Sequence, residues 1–169
     1  MVFGSEISDS VIPRRLQFHI GVIDFSAGGH VASTLGTHFT QSLINEGNVS
    51  LRPDFMILVY PVISFEQFAH AGSRDKLVGV RASSAKLQLF SNEKQVSSDT
   101  PVTFLVHASD DQPVSVRNTL VFDDALTSVS VKAEKHLYEA GGHGFGLNNP
   151  RAKDKWFDRC KNWLKENGF

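Results

Sequence analysis

The chain has 169 residues, enough for one domain with one sizeable core. Its formal net charge of −1 excludes a strong field that would draw in nucleic acid or an acidic membrane surface. The single cysteine, Cys160, excludes an intrachain disulfide. The opening MVFGSE lacks the basic segment and apolar core of a signal peptide, and no stretch approaches the roughly 20 apolar residues of a membrane span. The expectation is a cytoplasmic chain. Phenylalanine is frequent, 13 against 2 tyrosines, which suggests a ring-rich core or an apolar contact surface.

Four apolar runs alternate with helical patterns. The first run covers 16–25. A helix follows from near Ala27, with Val31, Leu35, Phe39 and Leu43 at helical spacing as its expected packing stripe. The second run covers 54–62 and the third 101–107. Both are nearly continuous in apolar character, as strands buried on two faces should be. The stretch 64–92 is the least regular. It reads as a surface connection with one short helix over 83–90, with a substrate wall or lid as the other option. A helix over 115–126 offers Val116, Leu120 and Ala125 for packing. The fourth run covers 128–138. The last helix, 151–167, carries the stripe Trp156, Cys160, Trp163 and Leu164, with lysines and acids opposite. Strands alternating with helices predict one compact α/β domain over 1–169, with a mainly parallel sheet and helices on both faces.

The first run ends in Asp24-Phe25-Ser26-Ala27-Gly28-Gly29. An apolar run, a serine among small residues and then a helical pattern read as a nucleophile elbow, the corner that lifts a serine hydroxyl into the open. A serine hydroxyl needs a base to take its proton. Histidine suits that role, and a carboxylate must fix its tautomer. On a parallel sheet these groups follow in the order Ser, Asp, His, each after a strand. Here His107-Ala108-Ser109-Asp110-Asp111 follows the third run and Gly141-Gly142-His143-Gly144-Phe145 the fourth. Each motif alone is weak, but three loops at strand ends in the right order form a joint pattern. No pair of histidines and acids has metal spacing, so neither metal nor cofactor is expected.

The segments IGVIDFSAGGHVAST (20–34), FLVHASDD (104–111) and HLYEAGGHGFGL (136–147) resemble the nucleophile, acid and histidine regions of α/β-hydrolase esterases. They are most similar to bacterial acetylxylan-esterase-like and carbohydrate acetyl esterases. The resemblance covers most of the chain from Ile20 onward. It implies a truncated α/β-hydrolase fold that hydrolyses short acyl esters, with Ser26 as nucleophile, His143 as base and Asp111 as acid. Asp110 is the fallback acid. The Ala27 N–H would be one oxyanion donor. His107 is expected to support the acid loop, and His30 and His38 to have packing or surface roles. The alternatives are a peptidase of the prolyl-oligopeptidase type and a catalytically weak interaction module.

Only 25 residues precede Ser26, whereas the resembled enzymes carry a long N-terminal half with a second oxyanion donor. Loss of one such donor typically costs about 10²–10³ in kcat. The expectation is therefore a slow esterase, unless the segment 1–15 or a second subunit replaces the donor. The run 16–25 would become an edge strand, which predicts a homodimer or larger oligomer unless 1–15 caps it. Asp24, where the elbow normally has glycine, must point outward or distort the turn.

Overall fold

The structure, a computed structural model, describes residues 19–41 and 50–169. Four strands form one parallel sheet in the order β1-β2-β3-β4: β1 at Gly21–Phe25, β2 at Phe55–Val59, β3 at Val102–Ala108 and β4 at Ala133–Tyr138. Helices α1 (Ala27–His38), α2 (Ala71–Val78), α3 (Ser84–Leu89), α4 (Arg117–Ser128) and α5 (Trp156–Glu166) complete it.

Side chains alternate across each strand, so the central strands feed two cores. Ile57, Val59, Phe104 and Val106 meet Trp156, Cys160 and Trp163 of α5 on one face. Met56, Leu58 and Leu105 meet Ala32 of α1 and Phe122 and Leu126 of α4 on the other. Helices therefore cover both faces, as the alternating pattern predicts. Cys160 is fully buried, and burial, with the nearby Glu134 charge, pushes its thiol up to about 11.

Several details differ from the sequence reading. Strand β1 starts at Gly21, and 16–18 lie outside the described residues. On α1 the expected stripe does not face the core. Val31 is 66% exposed and Leu35 is exposed as well, while Gly29, His30, Ala32, Ser33 and Gly36 are buried. Small residues replace the stripe because the helix lies close on its neighbours. A Cβ at Gly29 would come within 2.6 Å of the Pro61 side chain, and one at Gly36 would collide with Met56. Leu43 falls outside the described residues. On α4 the buried positions include Asn118, Thr119, Phe122 and Leu126 rather than Val116, Leu120 and Ala125, a rotation of the expected face. The helix also runs to Ser128, so β4 begins at Ala133, later than the start of its apolar run.

The stretch 64–92 is more than a surface connection. It contains α2 and α3, and Phe65 and Val78 join Val62 and Val114 in a third buried cluster. Helix α2 escapes the periodic reading because its sequence, AGSRDKLV, has no apolar stripe; only Val78 is buried. Its start is fixed by a cap instead, with the His70 ring accepting from the Ser73 N–H at 3.2 Å.

Strand β1 lies at one end of the sheet and pairs with β2 alone among the described residues. Ile20 is 73% exposed beside it, and Ile23 is exposed too. Among the described residues no helix is long and apolar enough to cross a membrane.

Phe122 is fully buried at the contact of α4 with the sheet. Replacing it by alanine removes apolar area and leaves a cavity in a close-packed layer. Chemical denaturation of Phe122→Ala should show a loss of about 3–5 kcal/mol.

Candidate active site

All four strand ends lie at the same edge of the sheet, and each supplies one part of the site. Ser26 follows β1, Tyr60 follows β2, Asp110 and Asp111 follow β3, and His143 follows β4. Open α/β sheets place ligands at this edge.

Ser26 has φ 54° and ψ −122°, a left-handed backbone that a residue with a Cβ rarely adopts. Its N–H donates to Val59 O at 3.0 Å, and its carbonyl accepts from Gly29 N–H and Val62 N–H, each at 3.0 Å. These bonds pin the strained corner to the end of β2. The aspartate that replaces the usual elbow glycine is accommodated nearby. Asp24 Oδ1 accepts from Phe25 N–H at 2.8 Å, and a Cβ on Gly28 would collide with that carboxylate. A glycine two residues after Ser26 thus clears the space that Asp24, two residues before it, takes up.

From Ser26 a continuous hydrogen-bonded chain runs inward. The Ser26 hydroxyl donates to His143 Nε2 at 2.8 Å. His143 Nδ1–H donates to Asp111 Oδ2 at 2.6 Å. A carboxylate only accepts, which fixes the tautomer and leaves Nε2 as the acceptor facing serine. The Asp111 side chain is fully buried, and three donors meet it. Besides His143, Val114 N–H donates to Oδ1 at 2.9 Å, and His107 Nε2 lies 3.2 Å from Oδ2. Burial raises the Asp111 pKa, but the hydrogen bonds from His107, His143 and Val114 outweigh it and hold the carboxyl below its ordinary value.

His107 supports the acid loop, as expected. Its Nδ1 accepts from the Thr119 hydroxyl at 2.8 Å and its Nε2–H reaches Val114 O at 2.9 Å. His30 is buried, stacked on Phe65 at 4.2 Å, and donates from Nε2 to Phe90 O at 2.8 Å. His38 bonds Leu89 O at 3.1 Å. Both tie α1 to the chain around α3.

Asp110, the fallback acid, faces away from the imidazole. Its Oδ1 accepts from Gly141 N–H at 2.8 Å and Gly142 N–H at 2.7 Å, and its Oδ2 from Arg151 at 3.1 Å. Tyr60 has no place in the sequence reading. Its ring lies 4.8 Å from that of His143 and its hydroxyl accepts from Gly146 N–H at 3.1 Å. A lone tyrosine after a strand carries no sequence signal for such a role.

Ala27 is the first residue of α1, so its N–H has no acceptor within the helix. It also lines a cavity of about 480 Å³ between α1 and α2, walled by Val31, Phe65 and Leu77, with His70 and Lys76 among its polar groups. The irregular stretch therefore supplies one wall of this cavity. Among the described residues no cluster of three or more histidines, cysteines or acids is placed to hold a metal ion.

The chain matches the family model described as the prolyl oligopeptidase family over residues 25–168. It is similar to the acetyl ester-xyloside bifunctional hydrolase of Caldicellulosiruptor lactoaceticus, with 42% identity and a TM-score of 0.82, over 88% of this chain and 57% of that one. It is 34% identical to endo-1,4-beta-xylanase B of Butyrivibrio fibrisolvens over 80% of this chain and 22% of that protein. It is 30% identical to the acetylxylan esterase of Xylanibacter ruminicola over 86% of this chain and 30% of that protein. The chain thus spans less than a third of either curated relative and a little over half of the solved one. With a match over nearly its whole described length and a parallel sheet of the same architecture, the chain belongs to the prolyl oligopeptidase family of α/β hydrolases.

Proposed function

We propose that the chain carries the catalytic residues of a serine esterase that hydrolyses short acyl esters, acetylated carbohydrate among them. The unbroken relay from Ser26 through His143 to the buried Asp111 carries this reading. In the proposed cycle His143 Nε2 takes the Ser26 proton as Oγ attacks the ester carbonyl. The Ala27 N–H donates a hydrogen bond to the developing oxyanion. His143 then protonates the leaving alcohol, and the acyl group stays on Ser26. Water, deprotonated by the same Nε2, releases the acid and restores the serine. Asp111 remains ionised throughout and stabilises the imidazolium. The acetylated-carbohydrate preference is supported by the names of the similar enzymes and by the cavity beside Ala27, whose volume lies within the range of ligand sites.

The family model's description supports a second reading, a peptidase. A fluorophosphonate probe should label the chain, and Ser26→Ala or His143→Ala should abolish the labelling. Unchanged ester hydrolysis in Ser26→Ala would overturn the catalytic assignment, whereas a wild-type chain that is neither labelled nor hydrolytic would leave an interaction module. A panel of aryl acetates, acetylated xylo-oligosaccharides and aminoacyl amides separates the enzyme readings. Turnover of the acetates and not the amides is the expected result.

Asp111 also sets an acid limit. The folded chain binds the Asp111 proton more weakly than the unfolded chain does, so this carboxylate stabilises the fold above the unfolded pKa of about 4. That contribution is lost as pH falls through the lower folded value. Thermal melts should show Tm falling steeply below about pH 4, and less steeply in Asp111→Asn.

The apolar edge supports a further part of the proposal, a homodimer or larger assembly with β1 at the contact. Light scattering at micromolar concentration should give at least twice the chain mass, reduced to one chain by Ile23→Lys. A monodisperse wild-type monomer would remove the idea.

A further inference from the structure

The loop that carries His143 reads Gly141-Gly142-His143-Gly144-Phe145-Gly146, four glycines in six residues. Gly142, Gly144 and Gly146 have φ of 62°, 82° and 58°. Glycine meets these angles without a steric penalty, but a chain so rich in it has many other conformations open to it. The Asp111 contact fixes the ring of His143 and not the backbone beneath it. A base acts only when its nitrogen lies within hydrogen-bond reach of the proton it takes, and small displacements are expensive.

Two side chains from other strand ends hold that backbone, one on each side of the histidine. On the entry side Asp110 Oδ1 takes both Gly141 N–H and Gly142 N–H, at 2.8 and 2.7 Å. These are charge-assisted bonds to the two residues just before His143. On the exit side Tyr60 Oη takes Gly146 N–H at 3.1 Å, while its ring meets His143 edge-on at 4.8 Å and Phe145 at 4.7 Å. Tyr60 is itself buried with φ 39°, a backbone that a tyrosine rarely adopts. Its own N–H is anchored on Val106 O at 2.6 Å. The strained residue sits where its ring must face the histidine, which is where strain tends to be kept.

We propose that Asp110 and Tyr60 are positioning residues that clamp the histidine loop at both flanks and so set the distance from His143 Nε2 to Ser26 Oγ. The proposal rests on the esterase reading for its effect on rate, and not for its effect on the loop. The Gly142 and Gly141 N–H groups outweigh a small burial penalty and, with Arg151, lower the Asp110 pKa, so the acceptor stays ionised near neutral pH. The Arg151 contact is exposed and contributes little. What the clamp needs at residue 110 is therefore an oxygen acceptor of the right length, rather than the charge pair.

The discriminating set is Asp110→Ala, Asp110→Asn, Arg151→Ala and Tyr60→Phe in the full chain. Each is assayed for kcat and KM on an aryl acetate, for Tm, and for amide exchange of the loop glycines by NMR. Asp110→Ala should lower kcat by roughly 10–100-fold with KM held within about twofold. Asp110→Asn keeps an oxygen for both N–H groups and should restore most of that loss. Arg151→Ala should match the wild type. Tyr60→Phe should lower kcat by roughly tenfold and speed exchange at Gly146 alone. Because both groups act on one loop, the effects of Asp110→Ala and Tyr60→Phe should not add. Wild-type kcat in Asp110→Ala overturns the positioning role, as does an Asn variant as impaired as the Ala variant. Unchanged exchange at Gly141 and Gly142 in Asp110→Ala overturns the clamp even if the chain turns over no ester. Failure of the esterase reading would instead appear as activity that survives Ser26→Ala.

Discussion

Parallel strands carry their C-terminal ends to one edge of a sheet, and the rest of the site depends on that constraint. Residues pair in step from Phe25 to Val59, from Val59 to Val106 and from Ala108 to Tyr138. Groups far apart in sequence therefore surface within one hydrogen bond of each other. Ser26 and His143 are 117 residues apart, yet their side chains meet at 2.8 Å. The sheet is held in register by apolar layers on both faces, so the geometry of the polar edge is fixed by packing some distance below it.

Within that frame Asp111 organises its surroundings because a buried carboxylate must be met by donors. Its three N–H partners come from β3, from the turn after it and from the loop after β4. Each of those donors is constrained in turn, His107 by Thr119 and His143 by the loop beneath it. A satisfied network of this kind specifies one arrangement, since every alternative strands a polar group away from water. The two adjacent acids divide the work by direction. Asp111 faces the ring and Asp110 the backbone of the same loop.

Two of the three non-glycine residues with positive φ among the described residues lie at the same edge; the third, Ser130, precedes β4. Ser26 and Tyr60, at successive strand ends, both hold positive φ, and both are anchored by bonds to a neighbouring strand. The small residues around them are the counterpart of that strain. Gly28 makes room for Asp24, and Gly29 lets α1 lie against Pro61. That close approach explains why α1 buries small and polar residues and leaves Val31 and Leu35 outside.

Much of this was legible in the chain. The four apolar runs, the parallel α/β class and the stripe of Trp156, Cys160 and Trp163 follow from periodicity, because burial on one face or two imposes a spacing. The three strand-end motifs and their order also lie in the sequence. Other features do not. Periodicity misplaced the buried face of α1 and passed over α2, since close backbone packing and a side-chain cap leave no apolar repeat. The resemblance ranks Asp111 ahead of Asp110, but motif order cannot show that one carboxylate faces the ring and the other the loop backbone. Tyr60 had no signal at all, since its contact with Gly146 joins two loops 86 residues apart. The sequence by itself determined which residue types reach the sheet edge, because local pattern dictates strand, turn and helix. Only the tertiary structure decided which of them touch, because direction and distance at that edge are set by how the layers pack.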